Sequence, residues 1–64
     1  MKATKTLPQR EKELQALLAT SEGKADLEAL AARYYASGGR FRPPGTSIVT
    51  YILVHERERG LIEG

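Results

Sequence analysis

The fold class this chain of 64 residues predicts is a single all-α domain of three helices: a helical hairpin with a third, strongly apolar helix laid across it. Three observations predict it. Cap residues followed by apolar residues at helical spacing occur three times, opening near Thr6, near Ser21 and at Thr46-Ser47. Two glycine-bearing breaks, residues 20–23 and 38–45, divide the three segments. A sheet needs several runs rich in β-branched and aromatic residues, and only residues 48–54 make one.

Taken in order, residues 1–6 carry Lys2 and Lys5 with little to pack, which predicts a flexible basic tail. Thr6 is the expected cap of a first helix over 8–19. Pro8 suits its opening turn, Glu11 and Glu13 lie towards its positive end, and Leu7, Leu14, Leu17 and Leu18 form its apolar stripe. Ser21 is the expected cap of a second helix over 22–37, with Glu22 and Asp26 early in it. Leu27, Leu30, Ala31 and Tyr34 fall at i, i+3, i+4 and i+7, one face. Ala25, Ala29, Ala32 and Ala36 favour helix and close approach. So short a break between the two predicts that they pack as a hairpin. Residues 38–46 are a Gly/Pro-rich loop, in which Phe41 is expected to anchor on the core while Pro43-Pro44 holds the chain extended.

The third segment reads two ways. Its composition, Ile-Val-Thr-Tyr-Ile-Leu-Val, fits a pleated strand. Its punctuation fits a helix over 47–59. Thr46 or Ser47 can cap it, Ile48, Tyr51, Ile52 and His55 share a face, and Arg57 and Arg59 suit its negative end. Gly60 then takes the left-handed position after the helix, with Leu61 folding back over the last turn. A strand would lack a partner within the chain, so the helix is preferred. Its first two turns leave only Thr50 polar, which implies burial on most sides, by the rest of the domain or by a second chain.

Composition excludes several functions. Hydrophobic residues at 41% and charged residues at 28% describe an ordinary globular chain rather than a disordered one. Without cysteine there are no disulfides, thiolate metal sites, iron–sulfur clusters or cysteine nucleophiles, which fits a cytoplasmic protein. No apolar run approaches the ~18 residues of a membrane span, so no membrane partner is expected. The net charge of +2 permits nucleic acid without demanding it.

The motifs that carry chemistry elsewhere fail here on spacing. His55-Glu56 begins a zinc-protease helix signature, but the second histidine four residues on is Arg59, and the chain has one histidine. His55 is expected instead to close the buried face of its helix or to respond to the helix end. Residues 39–47 fall short of a phosphate-binding loop, because Thr46 stands where the lysine belongs. A lone histidine cannot serve a triad. Glu56 and Glu58, alternating with arginines, are expected at a solvated helix end. No catalytic residue, metal, cofactor or small-molecule substrate is expected, and no enzyme.

Ser47-Ile48-Val49-Thr50 followed by Glu58-Arg59-Gly60-Leu61-Ile62-Glu63 resembles the recognition helix and exit of winged-helix transcription regulators. The resemblance covers about a quarter of the chain and implies a capped helix entering the DNA major groove. Glu56 stands where that family usually has a core leucine, the chain has no wing hairpin after Gly60, and a long Gly/Pro loop replaces the tight turn. No family residue role is therefore carried over.

What remains is a small non-enzymatic interaction module. The first expectation is nucleic-acid binding, DNA-binding or regulatory, with Arg33, Arg40, Arg42, Arg57 and Arg59 as phosphate contacts, joined by Lys2 and Lys5. Arg33, Tyr34, Tyr35, Arg40, Phe41 and Arg42 lie within ten positions, and arginines beside planar side chains can grip phosphates and stack on bases. The alternative is a protein–protein or homo-oligomerising module using Tyr35, Val49, Leu53 and Val54.

Overall fold

Helix starts and stops in this chain are set by single side chains and glycines. The computed structural model describes residues 5–63. In chain order the elements are β1 (Lys5–Thr6), α1 (Leu7–Leu18), α2 (Ser21–Ala36), α3 (Ile48–Glu58) and β2 (Ile62–Glu63), so the domain has the three expected helices.

Thr6 caps α1 through a reciprocal pair of bonds. Its Oγ1 accepts from the Gln9 backbone N–H at 3.4 Å, and its own N–H donates to Gln9 Oε1 at 3.1 Å. Thr6 also belongs to β1, which pairs in parallel with β2: Lys5 lies opposite Ile62 and Thr6 opposite Glu63. The expected flexible tail is thus corrected for residues 5 and 6, while residues 1–4 lie outside the described residues. The signal was invisible because a two-residue strand has no periodicity. It is held by β2, which follows α3 at the other end of the chain.

The joint between α1 and α2 lies one residue earlier than the sequence reading placed it. Thr20, not Ser21, is the cap, its Oγ1 accepting from Gly23 N–H at 2.9 Å. Ser21 becomes the first helical residue and Gly23 lies inside α2. A side chain at Gly23 would put its Cβ 2.1 Å from the Leu17 carbonyl oxygen, so only glycine lets the first turn of α2 ride against the last turn of α1.

Ser47 caps α3, accepting from Thr50 N–H at 3.2 Å. Gly60 ends it at φ 75°, where an L side chain is strained. Leu61 N–H donates to Glu56 O at 2.8 Å and Gly60 N–H to Arg57 O at 3.1 Å, satisfying the last carbonyls. The same pair of bonds closes α2, from Gly39 to Tyr34 O and from Gly38 to Tyr35 O. Leu61 does not fold back: it is 55% exposed, and the next residue, Ile62, enters the core instead. Pairing of β2 with β1 fixes that choice, because successive residues of an extended chain face opposite ways.

Each helix packs against the other two. Leu14 of α1, Leu27 of α2, and Val49 and Ile52 of α3 are the most enclosed side chains, with Ala31, Ile48, Tyr51, Leu53 and Ile62 completing the core. Each large aliphatic side chain so buried contributes about 1.5–3 kcal/mol. Phe41 does not anchor the loop as expected, being 69% exposed. The anchor is Tyr51, whose hydroxyl donates to the Arg40 carbonyl at 2.5 Å.

Candidate nucleic-acid interface

Two polar constellations meet where α2 ends and α3 ends, one inside the fold and one on its rim. The inner one centres on Glu56, which is buried although its sequence surroundings read as solvated. Arg10 Nε donates to Glu56 Oε1 and Arg10 Nη2 to Glu56 Oε2, both at 2.8 Å, a two-pronged pair. The Tyr34 hydroxyl donates to Glu56 Oε2 at 2.5 Å. Arg10 also donates from Nη1 to Glu13 Oε1 at 3.1 Å, and Glu13 accepts from Lys5. One carboxylate thereby ties α1, α2 and α3 together. The bond and ion pair with Glu56 hold Arg10 protonated well beyond its ordinary range. Burial, then the bond to Glu56, pushes the Tyr34 hydroxyl up to about 12. Lys5 first, and Arg10 second, hold Glu13 below the usual carboxylate value.

His55 stacks on Tyr34, ring centroids 4.0 Å apart and planes 12° from parallel, and is itself buried. Burial, and next the charge of Arg59, hold its pKa below the ordinary histidine value. The hub is closed. Among the described residues no buried side-chain polar atom lacks a partner, and no three His, Asp or Glu side chains are grouped to hold a metal. The recess bounded by Arg40, Tyr51, Val54, His55 and Glu58 has a volume of about 20 Å³, room for a single water. The hub's bonds fix the positions of α1, α2 and α3 relative to one another.

The outer constellation is open. Tyr35 is 57% exposed and Phe41 69%, and the two rings meet edge to face with centroids 6.5 Å apart and planes at 70°. Arg42 Nη2 lies 3.9 Å from Glu28 Oε1, one helical face below Tyr35, so the loop runs along the Glu28–Ala32–Tyr35 edge of α2. Arg40 reaches the other way, to Glu58 on α3, with Nη2 2.8 Å from Oε2 and Nε donating to Oε1 at 3.1 Å. Arg59 donates from Nη2 to the Ser37 carbonyl at 3.2 Å, closing the rim between the two helix ends.

The structure divides the residues singled out by sequence. Tyr35, Phe41, Arg40 and Arg42 come together. Arg33 does not join them: two residues along a helix turn about 200°, which sets it on the opposite flank of α2 from Tyr35. Arg57 is exposed, but no contact among the described residues ties it to the rim. Lys2 lies outside the described residues, and Lys5 is engaged by Glu13. Val49 and Leu53, expected as interface residues, are core at 2% and 7% exposure, and Val54 is half-buried. The domain wraps α3 after all: α1 and α2 both pack on it, and β2 adds Ile62 to the core beside it.

Sequence reasoning missed the Glu56 hub. A signal existed: Glu56 lies at i+7 from Val49 and i+4 from Ile52, continuing their buried stripe. Its partner Arg10 is 46 residues away and carries no mark.

Compared with protein-family models, with curated proteins and with solved structures, the chain matches none.

Proposed function

We propose that this domain is a small non-enzymatic nucleic-acid-binding module whose contact surface is the Tyr35–Phe41 pair with Arg40 and Arg42 beside it. The observation that carries this reading is the pair itself: two aromatic rings, both more than half exposed, touching each other between two arginines. Single exposed apolar residues are ordinary, but this grouping offers planar faces for bases and forked donors for phosphates. Arg40 and Arg42 are held by exposed Glu58 and Glu28, and exposed pairs of this kind contribute about 0–1 kcal/mol. A phosphate can therefore take the place of either carboxylate. The buried hub behind the rim supports the reading in a second way, since it fixes the ends of α2 and α3 and so holds the rim in one shape.

The reading concerns the rim and not α3 as a groove-reading helix, because most of α3 is enclosed. Its test is an anisotropy titration of a labelled oligonucleotide at low salt. Binding at micromolar protein that weakens steeply as salt is added is expected. Loss of that binding in Arg40→Ala/Arg42→Ala, with the helical circular dichroism unchanged, is expected with it. Absence of binding at low salt ends the proposal.

A further inference from the structure

Resting on that reading, we infer that the rim selects single strands over duplex, and weakly stacked pyrimidine strands over strongly stacked purine ones. Inside a duplex both faces of each base are covered by its neighbours, so a ring standing out from a protein surface finds nothing to stack on except at an end. A single strand can turn a base outward and lay it on Tyr35 or Phe41. The angle between the two rings sharpens the selection. Their planes are 70° apart, so bases lying flat on both cannot also lie flat on each other. A strand that engages both rings must give up stacking between those two bases. Thymine-rich strands give up little, and adenine-rich strands give up much.

Charge agrees with this occupant. Arg40 and Arg42 flank Phe41 in the chain and reach to opposite sides, towards α3 and α2, which places a phosphate-binding group on either side of the ring. Both are held only by exposed carboxylates.

The experiment uses two strands three ways: oligo-dT alone, oligo-dA of equal length alone, and the two annealed. The expected order is oligo-dT tightest, with oligo-dA and duplex each weaker by about tenfold. Phe41→Ala and Tyr35→Ala are expected to bring the three affinities together, and Phe41→Trp to restore the order, since these rings lie outside the core and their removal leaves it intact. Equal binding of duplex and oligo-dT overturns the inference and leaves the nucleic-acid reading standing. Equal binding of oligo-dA and oligo-dT overturns the part drawn from the ring angle. Binding of none of the three removes the underlying reading as well. Displacement of oligo-dT by polyglutamate as readily as by unlabelled oligo-dT assigns the rim to an acidic protein chain and overturns both.

Discussion

Glu56 and Glu58 are separated by one residue on the same helix and meet opposite surroundings. Glu56 is 3% exposed and receives three bonds from Arg10 and Tyr34, whereas Glu58 stands at the surface and holds Arg40. The chemistry of the two pairs is the same, carboxylate to arginine, and their consequences differ because of solvent. Water and salt stand in for a lost partner at Glu58 but not at Glu56. The inner pair is thus bound to matter for whether the domain folds, and the outer pair for what its surface can exchange.

The comparison breaks first if the inner pair proves dispensable. Arg10→Ala leaves a buried carboxylate without its counter-charge and is expected to cost about 3–5 kcal/mol in urea unfolding followed by circular dichroism. That is enough to unfold much of so small a domain. Replacing both partners, Arg10→Met with Glu56→Leu, is expected to recover most of the loss, since an apolar pair of similar volume needs no partner. A loss below about 1 kcal/mol for Arg10→Ala would show the hub to be as wet as the rim.

Next in size is Tyr34→Phe, which removes one of the three donors to Glu56 and is expected to cost about 1.5 kcal/mol in the same measurement. It also tests the alkaline side. The folded protein holds the Tyr34 proton up to about 12 while the unfolded chain releases it near 10.0, so stability is full below 10 and falls as pH rises between the two. The phenylalanine variant loses that slope.

A smaller effect is expected on the acid side from His55. Its folded pKa lies below the ordinary 6.5, so the unfolded chain takes up the proton first. The stabilisation is present above 6.5 and is lost as pH falls from there towards the folded value. His55→Phe keeps a ring on Tyr34 and is expected to flatten the decline in unfolding free energy between pH 7 and pH 5. An unchanged slope would exclude His55 as its source.

The smallest effect on stability is expected at the rim. Glu58→Gln should change the unfolding free energy by no more than about 0.5 kcal/mol while tightening oligonucleotide binding, because it frees Arg40 and removes a like charge from the phosphate's path. Weaker binding in this variant would mean that Glu58 orients Arg40 rather than competes for it.

These two glutamates also show how far the sequence could be read. Thr6, Ser47 and Gly60 were legible because a cap or a stop acts within four residues of itself. The helix at 48–58 was legible despite its strand-like composition, because its signals at both ends agreed. The Thr20 cap was missed through competition: two hydroxyl residues stood side by side, and the choice was made by Gly23 fitting against Leu17, a contact between helices. Phe41 was read as a core anchor and Tyr35 as an interface residue, and their meeting at the surface depends on how the loop lies along α2. Glu56 was the costliest miss. A charged residue on an apolar stripe reads as the end of the stripe, and only its distant partner shows that the stripe goes on.

The short parallel ladder has a mechanical meaning. Residues 5 and 63 sit at the outer ends of two strands that run the same way, so a pull on the chain from both sides drags the strands past each other along their length. The bonds of the ladder are then loaded together rather than peeled one at a time. Tension between flanking segments would be felt at Ile62 and the α1 cap before it reached the helices, and any partner tethered through either end would tug first on the same small clasp.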